Sequence, residues 1–249
     1  LSLYWEAFGA PRVEPQVDFD AYRRAMQACY QADWRSFTSR YPLLVECQKL
    51  RTAGDMPGYR QVNARLAALA RSHGAIAEGW AFDNAEAQAL AVQGQLDPAC
   101  QLMARTVSEI RAAGLMRENI PQLAIAASLH LWRDGGEAGL ALAREAARLL
   151  LVDGMVWWMA DALAWAAWHD GRADDAARIQ CWADSHAQQR GDKRGPMFNA
   201  LRDGLLQALA EAGVELPSGD AASAMAGWRQ EDVVALALEP GTAGVPAAH

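Results

Sequence analysis

The run Trp165-Ala-Ala-Trp-His-Asp-Gly-Arg-Ala-Asp-Asp-Ala-Ala-Arg-Ile179 decides the fold class. It is apolar and alanine-rich up to His169, breaks at Gly171, and resumes an apolar pattern at Ala176, Ala177 and Ile179. Glycine reaches the left-handed conformation at no steric cost, so a Gly between two apolar helical stretches marks a helix hairpin. Three earlier turns carry related text: Gly54-Asp-Met-Pro-Gly-Tyr59, Gly94-Gln-Leu-Asp-Pro-Ala99 and Gly135-Gly-Glu-Ala-Gly-Leu140. The four turn glycines lie 40, 41 and 36 residues apart. Seven residues before each stands a small residue, in turn Cys47, Ala87, Ser128 and Ala164. Four before come Leu50, Leu90, Leu131 and Ala167, and five after come Tyr59, Ala99, Leu140 and Ala176. Small residues at a fixed place let two helices approach closely, and a period of about 40 residues is that of a stack of helix pairs.

Working outward, the same periodicity holds along the chain. Between Asp97 and Ala113 the apolar positions Ala99, Leu102, Met103, Val107 and Ile110 recur at three and four, as a helix requires. Asp97-Pro98 reads as its N-cap and first residue, and Gly114 as its stop. No strand-like alternation persists. Val17 to Asp33 reads as a helix that caps one end, and Met197 to Ala212 with a final helix as the cap of the other. The expected organisation is a lead-in segment over 1–16, helical repeats over 17–191, capping helices over 192–239 and a frayed tail over 240–249. The fold expected is all-α, about eleven helices forming a right-handed superhelix of antiparallel pairs.

The chain has 249 residues, of which 52% are apolar and 21% charged, with a net charge of −7. That size buries a core without staples, and the acidic balance argues against a broad nucleic-acid footprint. No apolar run approaches the 18 residues of a membrane span. Cys29, Cys47, Cys100 and Cys181 are scattered and read as buried thiols in a reducing, cytoplasmic setting. With no His-x-x-x-His or Cys-x-x-Cys, neither a metal site nor a cofactor is expected. The chain opens on Leu1 without a signal-type segment and reads as a piece of something longer.

The repeat text over roughly 41–191 resembles degenerate tetratricopeptide-type repeats, most closely at Gly171. The stretch from Val156 through Phe198-Asn-Ala-Leu-Arg202 to Gln230-Glu-Asp-Val-Val-Ala-Leu-Ala-Leu-Glu239 resembles the C-terminal helical-repeat region of large bacterial transcriptional regulators, with a compressed linker before the last helix. In those proteins an ATPase domain and a DNA-reading domain accompany a tetratricopeptide-like sensor. The resemblance implies a ligand- or protein-binding sensor module that acts by conformational coupling. DNA and nucleotide binding would belong to other domains, because this chain holds no Gly-x-x-x-x-Gly-Lys-[Ser/Thr] loop.

The resemblance further implies that the helix before each turn glycine lines a concave groove. Projected onto the Gly171 unit, it places Trp158, Asp161, Trp165, Trp168 and His169 on that face, with Trp157 beside them. An aromatic stripe around one carboxylate suits a cationic or aromatic ligand; the alternative is that these rings only fill space between helices. Gln122, Trp132 and Arg133 project to the same side, and Asn84 and Gln88 further along. Amides suit an extended peptide backbone, or else form an ordinary wet surface. A protein or peptide, or a small molecule, is thus the expected partner, with homo-oligomerisation left open. Two other readings stand: a stand-alone adaptor holding a partner peptide, and, least favoured, a helical enzyme pairing Asp161 with Glu118 or Asp83. Cys181 and Trp182 read as core, and Arg190, Lys193 and Arg194 as a solvated connection.

Overall fold

The structure, a computed structural model, describes residues 34–191 and 194–238. Among them every regular element is helical. The helices are α1 (Trp34–Ala53), α2 (Met56–Ser72), α3 (Ile76–Val92), α4 (Leu96–Ala112), α5 (Ile120–Arg133), α6 (Glu137–Val152), α7 (Ala160–His169), α8 (Ala173–Arg190), α9 (Pro196–Glu211), α10 (Asp220–Ala226) and α11 (Gln230–Leu238). Short 3₁₀ turns, Arg117–Asn119 and Val156–Met159, lead into α5 and α7. The expected lead-in, the Val17 to Asp33 cap and the tail lie outside the described residues.

The chain divides into two compact units, Leu1–Ala89 and Leu90–His249. In the first, α1 and α2 form a hairpin closed at Gly54. Its core gathers Leu44, Cys47, Tyr59, Val62, Leu66 and Phe82. Burial pushes the Cys47 thiol up to about 12, so it stays protonated and behaves as a small apolar side chain. Asn63 donates from Nδ2 to the Phe82 carbonyl at 2.8 Å, and Arg71 pairs with the Asp83 carboxylate.

In the second unit α5 packs on α4 and α6, and α7 on α5, α8, α9 and α11. The α7–α8 turn shows the mechanism of the hairpins. Gly171 takes φ +75°, its N–H reaches the Trp168 carbonyl, and the next N–H, of Arg172, reaches the Ala167 carbonyl at 3.0 Å. These bonds satisfy the last orphan carbonyls of α7. Polar ties then recur between residues 34 to 36 positions apart: Arg111 with Glu145, Arg117 with Asp153, Arg133 with Asp97, and the Trp165 indole with the Leu201 carbonyl. Each tie joins near neighbours along the chain: α4 with α6, the turn before α5 with the end of α6, α5 with α4, and α7 with α9.

One boundary differs from the sequence reading. Helix α4 begins at Leu96 with Gln95 at the cap, and Asp97 lies within its first turn. The glycine turn sets this: Gln95 N–H already bonds back to the Leu90 carbonyl at 2.9 Å, so the chain becomes helical two residues early. Asp97 still favours the helix there, as a negative charge near the N-terminus.

The α5–α6 hairpin depends on Gly139. A Cβ at that position would lie 3.0 Å from the His130 Cβ and 3.2 Å from backbone atoms of His130 and Leu131. Gly139→Ala would therefore push α6 off α5. Better helix propensity would return up to about 1 kcal/mol, whereas forcing a packed interface apart costs about 1–3 kcal/mol. With the full propensity gain, a net loss of up to about 2 kcal/mol in urea unfolding is expected; a stabilised variant would show that the close approach is not needed.

Candidate functional site

Helix α7 is buried over its first eight residues, Ala160 to Ala167. Its alanine-rich sequence allows this, because three neighbouring helices come close to its axis and α9 closes the remaining side. The residues projected onto a groove are thus placed differently from one another. Asp161 and Trp165 are buried, Trp158 and Trp168 half-buried, and His169 exposed. Trp165 donates from its indole nitrogen to the Leu201 carbonyl of α9 at 2.9 Å, and its ring centroid stands 5.4 Å from that of His169. A Cβ on Gly204 of α9 would sit 3.5 Å from the Trp165 ring and 3.8 Å from the Trp132 indole nitrogen. The face beside Trp165 is therefore occupied by α9.

Asp161 is the buried charge of this region. Arg194 grips it with two hydrogen bonds, Nε at 2.8 Å and an Nη at 2.9 Å, and the Gln180 amide donates at 2.9 Å. Arg194 also reaches Asp184 of α8 at 2.7 Å, and Arg202 of α9 clasps the same Asp184 with two bonds of 2.8 Å. Burial pushes the Asp161 carboxyl up, against the pull of Arg194 and Gln180. Asp184 is also pushed up by burial, but Arg202 and Arg194 together hold it below the usual carboxylate range. The sequence reading had one carboxylate within an aromatic stripe; its partner is Arg194, which the same reading left in a solvated connection. Arg190 instead lies over the Trp157 ring, 4.1 Å from its centroid. Lys193 lies outside the described residues.

The other projected residues make contacts of their own. Gln122 is buried, and its amide oxygen has no hydrogen-bond partner among the described residues. Arg133 pairs with Asp134 at 2.7 Å and with Asp97 at 3.5 Å. Asn84 and Gln88 belong to the first unit, where the Gln88 amide donates to Asn84 Oδ1 at 2.8 Å. Of the carboxylates imagined opposite Asp161, Asp83 is held by Arg71 in the first unit, and Glu118 is exposed in the turn before α5. Among the described residues no three His, Cys, Asp or Glu side chains gather as metal ligands would, and no helix is long and apolar enough to cross a membrane.

An open cleft lies elsewhere, where α8 meets the end of α6 and the start of α11. It encloses about 240 Å³ and is lined by Leu151, Gly154, Trp182, His186, Trp228 and Gln230, with Arg229 and Glu231 also at its wall. Trp182 is fully buried and stacks on His186 at 5.0 Å, with the ring planes nearly parallel at 18°. Its indole donates to the Trp228 carbonyl at 3.1 Å, and Arg178 stands over the Trp228 ring. Gln230 bridges the cleft floor: its amide oxygen accepts from Val156 N–H at 2.7 Å, and its nitrogen donates to the Gly154 carbonyl at 2.8 Å. From the other end, Arg172 donates to the Leu236 and Ala237 carbonyls, the last turn of α11. The sequence reading passed over His186, Trp228 and Gln230. The signal available was a Trp just before a helix start, but nothing local says which helix it meets.

The cleft thus sets half-buried His186 and Trp228 beside a few polar groups, while Trp182 is fully buried behind the His186 ring. Such a lining offers aromatic edges and hydrogen-bonding groups to a molecule seated in it. No protein-family model, no curated protein and no solved structure matches the chain.

Proposed function

We propose that the chain is a binding module, the sensor or interaction part of a bacterial transcriptional regulator, built as a tetratricopeptide-like right-handed superhelix. The observation that supports it best is the succession of helix pairs closed at glycines of positive φ, Gly54, Gly94, Gly135 and Gly171. A stack held by nearest-neighbour contacts passes a displacement of one hairpin to the next. The cleft between α6, α8 and α11 is where a ligand acts on that stack. Its walls come from three elements, so a bound molecule favours one arrangement of them over others, and linked domains feel the difference. DNA and nucleotide binding reside in those other domains.

The test is genetic. Deleting codons 34–238 in frame in the source organism should change a defined set of transcripts by about fivefold or more, the range of ordinary coupling energies. Complementation with the wild-type chain should restore them, and with Trp228→Ala should not, although that variant keeps its helical circular dichroism. An unaltered transcript profile after the deletion would remove the regulatory reading.

A further inference from the structure

Helix α9 has the properties of a docked ligand. Its apolar residues Met197, Leu201, Leu205 and Leu209 are spaced by four, and all are buried on one stripe. The opposite positions Asn199, Asp203, Gln207 and Glu211 are exposed. Its neighbours are α7 and α8. Gly204 is the small residue that lets its backbone come against Trp165 and Trp132. The recognition is also electrostatic: the acceptor face offers Asp161 and Asp184, and the α9 segment brings Arg194 and Arg202. Glycines stand at both ends, Gly191 and Gly195 before it and Gly213 and Gly219 after it, three of the four at positive φ. The stretch after α9, residues 214–218, has no regular structure.

We propose that the face of α7 and α8 under α9 is an acceptor groove for an amphipathic helix of a partner protein, and that α9 is its built-in substitute. The partner helix carries apolar residues at four-residue spacing, a Gly or Ala where Gly204 stands, and arginines placed to meet Asp161 and Asp184. Four apolar side chains, the Trp165–Leu201 hydrogen bond and the Arg194 and Arg202 ion pairs hold α9, and ordering a sixteen-residue helix opposes them; opening this one element exposes less than unfolding the core it covers and so costs less. The ion pairs to buried Asp161 set register more than they add stability, because desolvation offsets their attraction. They also make an empty groove costly, since an unpaired buried carboxylate is unfavourable. Exchange of one arginine-bearing helix for another avoids that cost. This rests on the binding-module reading and names the partner for a second surface of that module.

The test uses a fluorescein-labelled synthetic peptide of residues 194–212 and the full chain. Tethered α9 competes at an effective concentration on the order of mM, so free peptide at about 10 µM is outcompeted about 100-fold in the wild type. Leu205→Asp disables the tethered copy, and that variant should bind the peptide at least about 10-fold more tightly than wild type by anisotropy. A Leu205→Asp chain with wild-type helicity and no gain in peptide binding overturns the proposal. If that variant loses its helices, hydrogen exchange of the wild type decides. Amides of Leu201, Leu205 and Leu209 should exchange at least about 100-fold faster than those of Leu163 and Trp165. Equal rates mean that α9 leaves only on global unfolding, and overturn the proposal. A transcript response that survives this result leaves the regulator reading in place.

Discussion

Arg194→Ala is expected to lower the unfolding free energy by about 3–5 kcal/mol at neutral pH, the cost of removing one partner from a buried ion pair. The residue sits between two helices, yet its effect comes from Asp161, which is 6% exposed and would keep only the Gln180 amide and the neighbouring Asp184 charge. An unpaired carboxylate in that place takes up a proton rather than stay charged. The pH dependence follows from that. Burial already pushes the Asp161 carboxyl up in the folded chain, and the variant loses the guanidinium that opposes the push. Its folded pKa then lies further above the unfolded value of about 4, so the folded state binds the proton more tightly than the unfolded state. Stability from such a group is present below the unfolded pKa and is lost as pH rises through the folded one. The deficit of Arg194→Ala relative to wild type should therefore grow between pH 4.5 and pH 7.5 in urea unfolding. Asp161→Asn combined with Arg194→Ala should remove most of that growth, because Asn carries no charge to neutralise. A deficit that is the same at both pH values would show that Asp161 is not buried with Arg194 as its counter-charge.

The same pair explains what was legible in the sequence. Hairpin turns are local events, and Gly171 or Gly94 announces them with the residues on either side. Helix α9 was expected at Met197 to Ala212 and runs Pro196–Glu211; the final helix was expected from Gln230 and starts there. What covers α7 is not local. Arg194 lies 33 residues from Asp161, in a Gly-Asp-Lys-Arg-Gly stretch that by itself reads as a loop. Trp165 has the same periodicity whether its face is open or beneath α9; only the meeting with Gly204 and the Leu201 carbonyl distinguishes the two. Substitution of Trp165 therefore tests packing first.

Trp182→Ala is expected to cost about 3–5 kcal/mol in urea unfolding, the range for removing a fully buried large aromatic side chain. The residue is 1% exposed, and three separate interactions end on it. The cavity left by the indole is the largest loss. The stacked His186 ring loses one face, and the Trp228 carbonyl loses its indole donor. Trp182→Phe separates these contributions. It keeps most of the ring volume and the stack but leaves the carbonyl without its donor, so about 1–2 kcal/mol should be lost. Trp157→Ala is the contrast, since its half-buried ring holds Arg190 at a site open to water and should cost about 0.5–1 kcal/mol beyond its packing. If Trp182→Ala cost less than Trp157→Ala, the aromatic cluster would be surface decoration and not a joint between α8 and α11. Trp182 forms a wall of the cleft and also fixes the residues leading into α11, through the Trp228 carbonyl.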